Sequence, residues 1–189
     1  MTRSVAVPLA VAVLLAAWSP SAAVDKYSVE LGGQLSLSRF SNNLDLKNTF
    51  PVGLRAGFVL HPAFEVVATY DTLGTESKNR LSRNSDYSQD FLGLRAQGVF
   101  RAGEESRINP YMFAGGGVAK TTFDSGLAGA SKVDDKTSFE DVGAGLRIHI
   151  WKGLHANGEF FIRHLRTLDQ TASNTWFSGG VSWFIGGKK

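Results

Sequence analysis

The chain has 189 residues, 20 Lys and Arg against 17 Asp and Glu, and no Cys. The lack of thiols excludes a disulfide scaffold and thiolate metal sites, neither of which a secreted chain of this size needs for its core. The near balance of charge gives no electrostatic case for a nucleic-acid partner. Beyond the leader, no apolar run reaches the ~18 residues of a transmembrane helix.

Residues 1–23 read as a secretory leader. Arg3 supplies a positive start, Val5 to Trp18 an apolar run, and Ser21-Ala22-Ala23 the small residues of a cleavage site. The run is shorter than the ~20 residues that span a bilayer. No Cys follows it to carry a lipid anchor. Residues 24–189 then form one domain with Val24 as the first mature residue.

Eight stretches of roughly ten residues follow. In the first, Tyr27, Val29, Leu31, Leu35 and Leu37 share one parity, while Ser28, Glu30, Gln34, Ser36 and Ser38 share the other. Period 2 is the signature of a strand with one apolar and one polar face. The second sets Val52, Leu54, Ala56, Phe58 and Leu60 against Gly53, Arg55 and Gly57. The third sets Phe64, Val66, Ala68 and Tyr70 against Glu65, Val67 and Thr69. The fourth sets Leu92, Leu94, Ala96 and Phe100 against Gly93, Arg95, Gln97 and Arg101. The fifth, Pro110 to Phe123, is Gly-rich and its parity is open. The sixth sets Val142, Ala144, Leu146, Ile148 and Ile150 against Asp141, Gly143, Gly145, Arg147 and His149. The seventh sets Leu154, Ala156, Phe160 and Ile162 against His155, Asn157, Glu159 and Arg163. The eighth sets Phe177, Val181, Trp183 and Ile185 against Ser178, Gly180 and Ser182.

The connections alternate in length. Long ones fall near 41–50, 72–86, 124–137 and 165–174, and short ones near 61–63, 102–107 and 152–154. Membrane barrels pair short periplasmic turns with longer extracellular loops in this way. Ten tilted residues also rise roughly 25 Å, the height of the apolar band. A soluble barrel alternates too, but with its apolar face inward. The fold class expected is therefore all-β, an eight-stranded antiparallel up-and-down transmembrane β-barrel.

Such a barrel has an interior just filled by side chains. Arg55, Arg95, Arg147 and Arg163 share it with Glu30, Glu65 and Glu159 as a structural polar network, because unpaired buried charge is costly. Keeping both polar faces inward across the sixth and seventh strands requires an odd turn. A three-residue turn, Lys152-Gly153-Leu154, would set Trp151 opposite His155, His149 opposite Asn157 and Arg147 opposite Glu159.

Two segments carry a resemblance. One is Asn109-Pro-Tyr-Met-Phe-Ala-Gly-Gly-Gly-Val118. The other is Ser178-Gly-Gly-Val-Ser-Trp-Phe-Ile185. Through them residues 26–186 resemble the small eight-stranded outer-membrane barrels grouped with the OmpA transmembrane domain and the opacity-type surface proteins. In that family Ser178, Gly180, Trp183 and Ile185 match a C-terminal assembly signal read by the outer-membrane insertion machinery. The tail Gly186-Gly-Lys-Lys189 departs from members that stop on an aromatic residue. The family includes structural proteins, adhesins, serum-resistance factors and a few lipid enzymes. With no peptidoglycan-binding domain after the barrel, a cell-wall tether is not expected.

Lipid A deacylases are also eight-stranded barrels, with a catalytic His and Ser two apart on an outward-facing strand. Here His164 has the outward parity, but two residues on stands Arg166, so that strand lacks the nucleophile. Gly115 to Thr121 fails the phosphate-loop pattern, with Ala114 and Ala119 where glycines are required. His149 and His155 come near each other inside the periplasmic end, and without a third ligand make no zinc site. His61-Pro62 reads as a turn. The connection at 72–86 carries Lys78, Arg80 and Arg83 with Glu76 and Asp86, and its cations could bind lipopolysaccharide phosphates or a host anion.

The expectation is a monomer in the outer membrane, without catalysis, cofactor or metal, whose structural or surface-interaction role resides in four extracellular loops. Its partners are outer-membrane lipid, lipopolysaccharide, the insertion machinery and an unidentified surface or host ligand. The alternatives are a narrow channel for small solutes, a lipid A-modifying enzyme, or a periplasmic lipid carrier.

Overall fold

A computed structural model describes residues 24, 26–40, 48–76, 86–100, 106–124, 133–167 and 170–188. Eight strands run β1 Lys26–Arg39, β2 Val52–His61, β3 Phe64–Glu76, β4 Asp86–Val99, β5 Ile108–Asp124, β6 Val133–Trp151, β7 Leu154–Thr167 and β8 Gln170–Lys188. Each pairs antiparallel with its neighbours in sequence, and β1 closes on β8. Closure leaves no strand edge unpaired along the barrel wall.

The alternating faces fall as the sequence implies, with the apolar one outside. Leu54, Leu94 and Met112 are 64%, 62% and 58% exposed, while Glu30, Arg95 and Arg163 are 0%, 3% and 0% exposed. A continuous apolar outer wall around a charged interior is stable in lipid and not in water. The inside-out assignment is thereby settled for a membrane barrel. In β5 the outward set is Pro110, Met112, Ala114 and Val118, and Tyr111 and Phe113 point inward. Its glycines allow close approach: a Cβ on Gly115 or Gly117 would run into the carbonyl oxygens of Leu94 and Leu92.

All the strands but β2 exceed the expected ten residues, reaching 19 in β6 and β8. The fourth long connection is not long. β7 continues to Thr167 and β8 starts at Gln170, so only residues 168–169 separate them. The two Thr of this segment suit a strand while its Ser and Asn suit a loop, and the cross-strand ladder decides for strand. Segments 41–47, 77–85 and 125–132 lie outside the described residues, and with them Lys78, Arg80 and Arg83.

The register of β6 on β7 corrects the three-residue turn. Lys152 and Gly153, with φ of 36° and 85°, form a two-residue turn that sets Trp151 opposite Leu154. Two residues with positive φ are what a type I′ hairpin needs. A two-residue turn alone would put the polar face of β7 outside. An irregularity between His149 and Trp151 restores the parity, so that His149 faces His155 and Arg147 faces Asn157. The parity requirement holds, and it is met by a bulge rather than by a longer turn. The same device recurs between Val59 and His61, opposite Phe64 and Glu65.

Candidate functional site

The interior holds a dense set of buried charges. At its centre Arg55 donates from Nη1 to Glu159 at 2.6 Å. Its Nε lies 2.9 Å from Glu30, an ion-pair contact too bent for a hydrogen bond. Arg147 donates to Glu65 at 2.7 Å and to Glu30 at 3.4 Å. It does not reach Glu159, because the bulge moves its cross-strand partner to Asn157. Arg95 joins Glu159 at 3.2 Å to Asp141 at 2.8 Å. Arg163 continues the chain from Asp141 at 2.8 Å to Asp71 at 3.0 Å. Neutral donors complete it: Tyr111 gives its hydroxyl proton to Glu159 at 2.7 Å, and Gln34 its amide to Asp71 at 2.7 Å.

All seven charged residues named from sequence lie inside, within this one assembly. Asp71 and Asp141 belong to it as well, beyond the seven that the sequence pattern singles out. Asp141 stood on the polar parity of its strand, and Asp71 continues the inward series Glu65, Val67, Thr69. That parity was the available signal. Charge complementarity makes the assembly tolerable, since each guanidinium has five donors to place.

Above the network, toward the loop end, the interior becomes aromatic, which strand parity read as polar did not anticipate. The Arg163 guanidinium sits 4.2 Å from the Phe91 ring centroid, 4.4 Å from Trp176 and 4.5 Å from Phe139. Phe40, Leu73 and Leu165 cap this cluster. At the turn end, His149 and His155 meet at 3.2 Å, with His155 stacked edge-on to Phe184. Among the described residues no three acidic or His side chains group as metal ligands.

The outer face holds a pair that a search along one strand misses. His164 Nδ1 lies 2.8 Å from the hydroxyl of Ser173, directly opposite on β8. Glu140 is the cross-strand neighbour of His164 on β6. Gly115 to Thr121, the segment tested as a phosphate loop, is continuous strand within β5. Of the four residues expected to form an assembly signal, Trp183 and Ile185 face outward, and Ser178 and Gly180 sit on the inward parity.

Residues 9–183 match the sequence profile described as an outer membrane protein beta-barrel domain. A comparison with curated protein sequences finds no match. Among solved structures, the chain is similar to Neisserial surface protein A, at 15% identity over 83% of this chain and 96% of that one, with a TM-score of 0.64. It is similar to OprG from Pseudomonas aeruginosa, at 16% identity over 85% and 97%, TM-score 0.57. It is also similar to Ail, the attachment invasion locus protein of Yersinia pestis, in complex with the heparin analogue sucrose octasulfate, at 20% identity over 85% and 99%, TM-score 0.56. At these identities the likeness is one of fold.

Proposed function

Because the chain belongs to the outer-membrane protein β-barrel domain family and so to the outer membrane, we propose that it is a non-catalytic surface scaffold. Its interactions are made by the segments joining the strands at the loop end. The observation that carries this reading is the filled interior. Arg163, Trp176 and Phe161 are fully buried, and Arg55, Arg95 and Arg147 nearly so. A lumen packed with ion pairs and rings supports a scaffold over a channel. A rigid frame with variable connections is the usual arrangement for surface recognition.

The ligand class follows from Lys78, Arg80 and Arg83 in segment 77–85. These cations suit sulfate or phosphate groups on a host polymer or on lipopolysaccharide. The structure of Ail with sucrose octasulfate supports a polyanion as the kind of partner a barrel of this fold can take. The test is retention on immobilised heparin of protein purified from outer membranes, at rising salt. The native chain should be retained and should elute earlier when all three cations are replaced by Gln. Equal elution of the two proteins would remove this segment from the reading.

Two steps precede that role. The leader is cleaved after Ala23, and the insertion machinery reads the last strand at Ser178, Gly180, Trp183 and Ile185. The closed barrel wall supports a monomer.

The His164–Ser173 contact favours a second reading, hydrolysis of a membrane ester. The imidazole would take the hydroxyl proton as the serine oxygen attacks the ester carbonyl, the alcohol would leave with that proton, and a water deprotonated by the same imidazole would then cleave the acyl-serine and release the fatty acid. Lipid A and phospholipid mass spectra of cells carrying the native chain or Ser173→Ala decide between the readings. Identical spectra support the scaffold, and deacylated lipid only with the native chain supports the hydrolase.

A further inference from the structure

The outer wall carries a groove that neither the interior nor the loops account for. It runs along β5 to β8 with a volume of about 860 Å³, within the ~300–1,000 Å³ of sites that hold small apolar ligands. Its lining includes the small residues Ala144 and Gly158, with Gly179 directly opposite Gly158. A Cβ added at Gly158 or at Gly179 would meet no atom within 4 Å. Phe160 and Phe177, with ring centroids 5.0 Å apart, wall the groove toward the loop end. From there it descends to Ile148 and Phe100 near the turns. Beyond Ile148 the strand ends at Trp151, whose ring lies 4.9 Å from the ammonium of the exposed turn residue Lys152.

We propose that this groove seats an acyl chain of an anionic phospholipid of the periplasmic leaflet, with the lipid phosphate at Lys152. The groove is continuous with the lipid-facing wall, and Leu146 and Met112 beside it are half exposed to the same hydrocarbon. Water cannot fill an apolar recess at that depth, so lipid methylenes must. A chain lying in a recess touches wall on several sides, and those small contacts add up. The groove's lining reaches Ile148 and Phe100 on the side of the turn end, which faces the periplasm by the rule of short turns. There a lysine supported on an interfacial Trp offers the charge a lipid phosphate needs.

The test uses the protein purified from outer membranes and exchanged into nanodiscs of phosphatidylglycerol and phosphatidylcholine in equal parts. Release into mild detergent and native mass spectrometry then count the lipids retained. One retained phospholipid is expected, with phosphatidylglycerol favoured by about fivefold. Gly158→Leu puts a side chain into the groove and Gly179→Leu one beside it, each from a Cβ that meets no atom within 4 Å, and each should cut retention by about tenfold. Gly74→Leu, at an equally open position on β3, should not. Lys152→Gln should keep the lipid and abolish the headgroup preference. Equal retention by the native chain and both groove variants would overturn the proposal, as would loss of lipid from Gly74→Leu or an unchanged preference in Lys152→Gln. Each variant is checked for the change in gel mobility on boiling that marks a folded barrel. If Gly158→Leu fails that check, Gly158→Ala and Gly179→Leu carry the comparison.

Discussion

Arg55 on β2 and Glu159 on β7, 104 positions apart in the chain, join opposite walls of the barrel through a 2.6 Å hydrogen bond. Neither strand pairs with the other in the sheet, so the contact spans the lumen. Both side chains are 2% exposed. Removing one partner leaves a buried charge short of its counterpart, which costs about 3–5 kcal/mol. Arg55→Met should therefore lower the stability of the barrel in phospholipid vesicles by that order, and Glu159→Gln by a similar amount. Urea unfolding followed by gel mobility reads both. The double replacement should cost less than the sum, because the two changes share the Arg55–Glu159 pair.

The same pair marks how far the sequence could be read. Period-2 alternation placed Arg55 and Glu159 inside, because one face of each strand must meet lipid. It could not pair them. Pairing across a lumen depends on strand stagger and tilt, which local pattern does not encode. The β6–β7 register shows the limit more sharply. Parity demanded a correction near Lys152, and a bulge supplies it where a third turn residue was expected, moving Arg147 from Glu159 to Asn157. The aromatic interior around Arg163 was hidden for a different reason. Phe91, Phe139 and Trp176 share a parity with polar residues, and alternation alone does not tell a lumen ring from a lipid-facing one. Ser173 was missed because its partner His164 lies on another strand.

Arg163 is held by aromatic faces as well as by carboxylates. Its guanidinium lies within 4.5 Å of the centroids of Phe91, Phe139 and Trp176. Lysine keeps the charge but loses the planar fork and the stacking. Arg163→Lys should destabilise the barrel by about 1–2 kcal/mol. Fluorescence of the buried Trp176 should change with it, as the ring loses its cationic neighbour.

Gly153 adopts φ of 85° in the turn, and a Cβ there would press on the Phe184 carbonyl oxygen. Gly153→Ala should cost about 1 kcal/mol or more. The expected readout is faster unfolding at fixed urea, with the folded barrel's gel mobility unchanged.

The filled interior predicts silence in planar bilayers. The protein should give no conductance steps at moderate voltage. Truncating the central plug, with Arg95→Ala and Arg163→Ala together, should admit ions if the barrel still folds by the gel-mobility criterion. Steps from the native chain would favour a channel over a scaffold.

The central claim is that the apolar face meets lipid while charge and rings fill the inside. Trp183 is 43% exposed on the outer wall and Trp176 is 0% exposed within it. Two variants retaining only one of these among the barrel tryptophans Trp151, Trp176 and Trp183 would be placed in vesicles of acyl-brominated phospholipid. The account predicts strong quenching of Trp183 and little of Trp176. Quenching of Trp176 with Trp183 spared would contradict it and turn the barrel inside out.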